Sequence, residues 1–292
     1  MKEQAKVDGK PTLSRRLSDF LRRCGVETHG IAPIPKEGRT ETRNYQLFWL
    51  WFSANMNITT LVVGAGGPVA FSLSLRNTAV NLLVTDAISC IIPAYFAIFG
   101  PKLGTRAMVH ARFSWGVYGV AVPSILNVLS MIGYLILNAI VGGQMLATIS
   151  DRLTPTTGIV VTAVVSLAVS FCGYRILHWF EMVAWIPTVL GLAVMLGVGR
   201  KQLAFGDTHA SGYPPPTASS ILSFAATVAA ADVSWCTITP DYGVYHDAHG
   251  STAMIFTYAY LGLFLPSASR VARPGCGVRR RSADDPFLGR GV

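Results

Sequence analysis

Charge is what this chain has least of. Only 13% of its 292 residues are Asp, Glu, Lys or Arg, where an ordinary soluble domain carries about 25%. Hydrophobic residues make up 51%, and the mean hydropathy is +0.44. A water-soluble globule is excluded by that balance. Cysteine is also scarce. The five, at positions 24, 90, 172, 236 and 276, are odd in number and lack metal-ligand spacing, so neither a disulfide framework nor a zinc site is expected. They read as packing residues. No apolar stretch follows Met1, so nothing resembles a cleaved signal peptide. Strict polar/apolar alternation over about ten residues is missing too, which argues against barrel strands. No nucleophile–base set, metal cluster or phosphate loop stands out, so an enzyme is not expected, and no cofactor or metal.

What the chain does have is a succession of apolar runs, each near the roughly 20 residues a helix needs to cross a bilayer. Spans are expected at about 46–68, 79–99, 121–149, 156–174, 181–199, 218–239 and 251–266. The chain therefore reads as an all-α membrane protein. Residues 1–44 read as a largely disordered tail, 45–266 as the transmembrane region and 267–292 as an aberrant or disordered basic tail. Much of the net charge of +9 lies in the first 43 residues and at the very end, so it reads as membrane topology rather than nucleic-acid binding. Lys36, Arg39 and Arg43 adjoin the first span and favour a cytoplasmic N-terminus. Basic residues in the later loops fall on both inferred sides and do not discriminate.

The first span, "WFSANMNITTLVVGAGGPV", carries Asn55, Asn57, Thr59 and Thr60 in its middle, then Gly64, Gly66, Gly67 and Pro68. Two readings compete: glycines that let neighbouring helices approach, or a discontinuous helix whose freed backbone and polar side chains bind a solute at membrane depth. The second is favoured. "GAGGPV" is not a dinucleotide fingerprint, because Val69 stands where the third glycine should be. In the third span Asn127, Met131, Tyr134 and Asn138 recur at spacings of four, three and four, on one helical face. That stripe is either glue between helices or a binding face. The ring of Tyr134 and the amide of Asn138 one turn later suit a flat ring with mixed donors and acceptors, such as a nucleobase.

Three carboxylates sit in or against apolar runs: Asp86, Glu181 and Asp232. An Asp at the helix centre is penalised by roughly 2.5–3.5 kcal/mol on insertion scales, so each needs a partner or a function. Glu181 is equally well explained as an interfacial residue at a helix end. Asp232 and Trp235 share a face of the sixth span, which then meets Pro240. Breaks in the first and sixth spans fall at equivalent places of a five-plus-five inverted repeat.

The stretches "FWLWFSANMNITTLVVGAGGP", "FGPKLGTRAMVHARFSWGVYG", "LNVLSMIGYLILNAIVGGQML" and "HWFEMVAWIP" resemble the nucleobase:cation symporter-1 family, in its fungal purine–cytosine permease branch, from about Glu41 to Pro266. That resemblance implies a leucine-transporter-type fold and proton-coupled uptake of cytosine, adenine, guanine and hypoxanthine at the plasma membrane. Carried over by motif, the substrate contacts would include Thr60, Tyr134, Asn138 and Trp235. Glu181, Asp232 and Asn55 would be supporting or proton-linked residues. The family pattern also implies spans beyond the seventh, whereas after Leu265 the composition turns to Arg, Gly, Pro and Asp without a further apolar run. The expectation is a C-terminally truncated permease; the alternative is a non-transporting membrane fragment that acts, if at all, by associating with other membrane proteins.

Overall fold

The computed structural model describes residues 31–149, 153–170, 180, 182–199 and 215–272. Glu181, most of the N-terminal tail and residues 273–292 lie outside them. The described residues are helical, with one isolated bridge between Glu41 and His246. In chain order the α-helices are α1 (Tyr45–Asn55), α2 (Ile58–Ala70), α3 (Leu75–Ser89), α4 (Ile91–Ala97), α5 (Phe99–Leu103), α6 (Ala107–Gly119), α7 (Ala121–Ala147), α8 (Pro155–Ser170), α9 (Trp185–Gly199), α10 (Ala218–Val233), α11 (Thr239–Gly243) and α12 (Thr252–Ala268). Short 3-10 turns stand at Lys36–Gly38, Ser234–Thr237 and Ser269–Ala272.

Three helical stretches are long and apolar enough to cross a membrane: Leu75–Leu103, Ala121–Ala147 and Ala218–Thr237. The pair α1 and α2 makes a fourth if taken as one span bent by 55°. Shorter apolar helices at Pro155–Val169, Trp185–Val194 and Thr252–Ser267 occupy the other places where the sequence predicts spans. The break in the first span falls at Met56 and Asn57, upstream of the glycines.

The span is thus discontinuous, and its glycines have a packing role as well. The glycines sit where helices touch: a Cβ on Gly64 would stand 2.5 Å from the carbonyl oxygen of Arg270, and one on Gly67 would run into the Thr78 side chain. Small residues allow such approach where helix association gains little from hydrophobicity. The sixth span changes character after Val233, passing through the 3-10 turn Ser234–Thr237 and Ile238 (φ −132°) before α11 restarts the helix.

Two apolar clusters hold these pieces. Leu47, Leu50 and Trp51 of α1 pack with Cys90, with Ala94 and Ala97 of α4, and with Ile255, Ala259 and Leu263 of α12. Phe224 and Val228 of α10 meet Leu82 of α3 and Leu73. Cys90 is thus a packing residue. Ahead of α1, Arg39 is buried and has a structural task besides its charge. Its guanidinium donates to the carbonyls of Ile34, Pro101, Lys102 and Leu103, at 2.7–3.3 Å. Those last carbonyls of α5 have no partner within the helix, and the left-handed Gly104 (φ 64°) ends it.

Candidate functional site

A helix broken at membrane depth exposes backbone groups that water cannot reach, so each needs a partner from the protein. At the first break one side chain supplies two. The Asn57 amide oxygen accepts from Thr60 N at 2.8 Å, capping the start of α2, and its nitrogen donates to the Ala54 carbonyl at 2.6 Å. Asn55 turns back along α1, donating to the Trp51 carbonyl at 3.0 Å. The interruption is therefore closed by its own sequence, and Thr59 and Thr60 open the next helix, with the Thr59 hydroxyl facing α7.

Across from it, α7 presents Met131, Tyr134 and Asn138. Thr59 Oγ1 donates to Asn138 Oδ1 at 2.6 Å, and Asn138 Nδ2 donates to the Tyr134 carbonyl at 2.9 Å. One hydrogen and one lone pair of the amide are left over. The Tyr134 hydroxyl lies 3.4 Å from Ser234 Oγ at the second break. Trp235, one residue on, packs edge-to-face on Trp51 with ring centroids 5.6 Å apart.

These groups line an open-sided cavity of about 190 Å³ between the two breaks and α7. Its wall includes Asn55, Thr60, Tyr134, Asn138 and Trp235, which the sequence singles out, together with Asn57, Thr59, Met131 and Ser234. It offers hydroxyls, the amides of three asparagines and two aromatic rings among apolar side chains. Asn127, on the same predicted stripe of α7, does not line it; its Oδ1 is buried without a hydrogen-bond partner.

Asp232 is placed differently from Trp235. It is 2% exposed and points toward α3, accepting from Ser89 Oγ at 2.6 Å and from Arg270 Nη2 at 2.9 Å. Asp86, fully buried, accepts from Arg270 Nη1 at 2.9 Å. Arg270 also lines the cavity. By sequence Arg270 belongs to the basic tail and has no assigned role. The one available signal was a cation directly behind an apolar run in a chain with two intramembrane aspartates. Its partners lie 184 and 38 residues away, and nothing local ties it to them. Glu181 lies outside the described residues.

A polar, aromatic-walled cavity set where two membrane helices are interrupted is the layout of a small-solute permease rather than of an enzyme. The chain is a multi-pass membrane protein. It belongs to the family of permeases for cytosine/purines, uracil, thiamine and allantoin, which matches residues 33–271. Among its relatives, the purine-cytosine permease fcyB of Emericella nidulans is 30% identical over 241 residues, covering 82% of this chain and 47% of that one. The purine-cytosine permease FCY21 of Saccharomyces cerevisiae is 30% identical over 264 residues, 89% and 49% of the two chains. The vitamin B6 transporter TPN1 of the same yeast is 28% identical over 275 residues, 90% and 48%. The chain spans about half the length of these relatives. No solved structure matches it significantly.

Proposed function

We propose that this chain carries the substrate half-site of a nucleobase permease, and that the solute is a flat heterocycle such as cytosine, adenine, guanine or hypoxanthine. The observation that supports this most is the meeting of Thr60, Tyr134, Asn138 and Trp235 around one cavity at the two helix breaks. In that reading the rings of Tyr134 and Trp235 stack on the base, and the spare donor and acceptor of Asn138 pair with its edge. Asn55 and Asn57 keep the break rigid, so the site is formed before the solute arrives. Purine-cytosine permeases among the relatives agree with this substrate class.

The reading extends to a leucine-transporter-type five-plus-five inverted repeat, a plasma-membrane location with a cytoplasmic N-terminus, and coupling to an entering cation, a proton in the first instance. Interrupted helices of the first and sixth spans support the repeat. Proton coupling requires a membrane carboxylate that changes protonation during transport, with Glu181 and Asp232 as the two candidates.

Uptake tests it. In a chimera that joins residues 1–266 to the remaining half of a full-length relative, Asn138→Ala should weaken cytosine uptake tenfold to a hundredfold with surface expression unchanged. Losing two hydrogen bonds while the base edge stays unpaired is worth about 1–3 kcal/mol. Competition by adenine, uracil and pyridoxine ranks the substrate classes that the family and its vitamin B6 transporter cover. Uptake should also rise as external pH falls, and Glu181→Gln or Asp232→Asn should flatten that rise. Unchanged cytosine affinity in Asn138→Ala removes the base contact; sodium dependence without a pH response removes the proton.

A further inference from the structure

Two acids and one base meet behind the cavity. Asp86 comes from α3, Asp232 from α10, and Arg270 from the 3-10 turn Ser269–Ala272 that follows α12. The guanidinium bridges the acids with one nitrogen at 2.9 Å from each, and all three side chains are at most 3% exposed. With both acids ionised the group carries one negative charge too many. Burial of a charge needs compensation, because the desolvation penalty is otherwise unopposed. Two atoms of the cluster are buried without a hydrogen-bond partner, the acceptor Asp86 Oδ2 and the donor Arg270 Nε, whereas Asp232 Oδ2 receives the Ser89 hydroxyl.

The acids are held by contacts that do not involve the arginine. α3 and α10 are clamped by Leu82, Phe224 and Val228, and Asn81 Nδ2 donates to the Ile221 carbonyl at 2.8 Å. The arginine arrives on a separate segment and lines the cavity wall. Among the described residues, Cys90 at the head of α4 is a titratable group beside the pair, and Tyr260 of α12 lies beside Cys90. The Tyr260 hydroxyl donates to the Ala87 carbonyl. Neither group brings positive charge.

We propose that Asp86, Asp232 and Ser89 form a binding site for one monovalent cation, reached from the cavity, and that in this chain the guanidinium of Arg270 is its tethered occupant. A pair of braced carboxylates with an unfilled acceptor is arranged for a cation whether or not Arg270 supplies it. The inference does not depend on which solute the cavity takes, since its test uses no nucleobase.

The 292-residue chain in detergent, in a buffer whose only cation is choline, provides the measurement. Arg270→Ala should melt roughly 10 °C below the parent at neutral pH, as expected for a buried ion pair that loses one partner. Millimolar guanidinium chloride should restore most of that loss, saturably, by entering the vacated site. The parent should show no such rise, and Asp232→Asn added to Arg270→Ala should abolish the rescue. Absence of rescue, or an equal rise in the parent, overturns the proposal. The triple variant Asp86→Asn, Asp232→Asn, Arg270→Met removes every charge and controls for folding. If it is recovered while Arg270→Ala is not, even with guanidinium present from growth onward, the proposal is likewise overturned.

Discussion

At Asn57 a single side chain closes both edges of a helix break, and the same economy governs the polar residues around it. Thr59, Asn138 and Tyr134 each use part of their hydrogen-bonding capacity on the protein and keep part for the cavity. His110 does the opposite. It lies in α6, outside the spans, with both ring nitrogens buried and without hydrogen-bond partners, against the edge of Phe99 at a centroid distance of 6.1 Å. Burial pushes its imidazole below the ordinary value of 6.5. The unfolded chain therefore binds the proton first on acidification. The stability His110 confers is complete above about 6.5 and declines as pH falls toward its folded value. Melting in detergent should show this between about pH 7.5 and 5.5. His110→Phe should lose part of that pH dependence while keeping the contact with Phe99; an unaltered profile would mean that the ring titrates as in water.

Among the elements, α2 is the most constrained. Its Gly64 touches the backbone of Arg270, while Gly66, two residues on, has Phe224 Cε2 as the nearest atom to a would-be Cβ, at 3.9 Å. The two positions share a helix and a residue type but should respond in opposite directions. Gly64→Ala forces the turn Ser269–Ala272 away from α2 and should destabilise by about 1–3 kcal/mol. Gly66→Ala adds only an ordinary contact and should stabilise by about 0.5–1 kcal/mol, because glycine weakens a helix interior. Thermal melting of the two variants side by side is the measurement. Equal behaviour would deny the close seat of Arg270 against α2. The neighbouring turn at Ser234–Thr237 has another role: it stops α10 just past Asp232, leaving the acid facing α3 and Trp235 facing the cavity.

At the scale of the whole molecule, the helices are unevenly covered. α1, α4 and α12 form a packed core, whereas α7 contacts chiefly α8, α6 and α2 and exposes Val128, Leu129, Ile132, Leu135 and Ile136. Lipid covers apolar side chains of this kind without difficulty, but Tyr134 and Asn138 belong to the same open helix. A rocking bundle needs a second body around the site, and the chain spans about half the length of its relatives. A polypeptide of residues 1–292 and nothing more is therefore expected to give no cytosine uptake above empty vector in a yeast strain lacking purine-cytosine permeases. Saturable uptake from it, together with plasma-membrane fluorescence of a fused reporter, would show that the described bundle is enough.

Composition and run length alone determined that the chain is helical and lives in a bilayer, because the penalty on unpaired backbone in lipid leaves few solutions. Local spacing grouped many of the residues that line the cavity. Asn55, Asn57 and Thr60 lie within one turn or two of each other, Tyr134 and Asn138 are four apart on one helix, and a helical period suffices to group them. The location of the break at Met56 and Asn57 was less legible, since glycine and proline downstream are the stronger breakers in general; here they serve packing. Only the tertiary structure decided that Asp232 turns away from the cavity, that Arg39 caps α5, and that Arg270 is the cation between Asp86 and Asp232. Each of those pairings joins residues tens to hundreds of positions apart, and electrostatic partners at such separations leave no periodicity for a sequence to display.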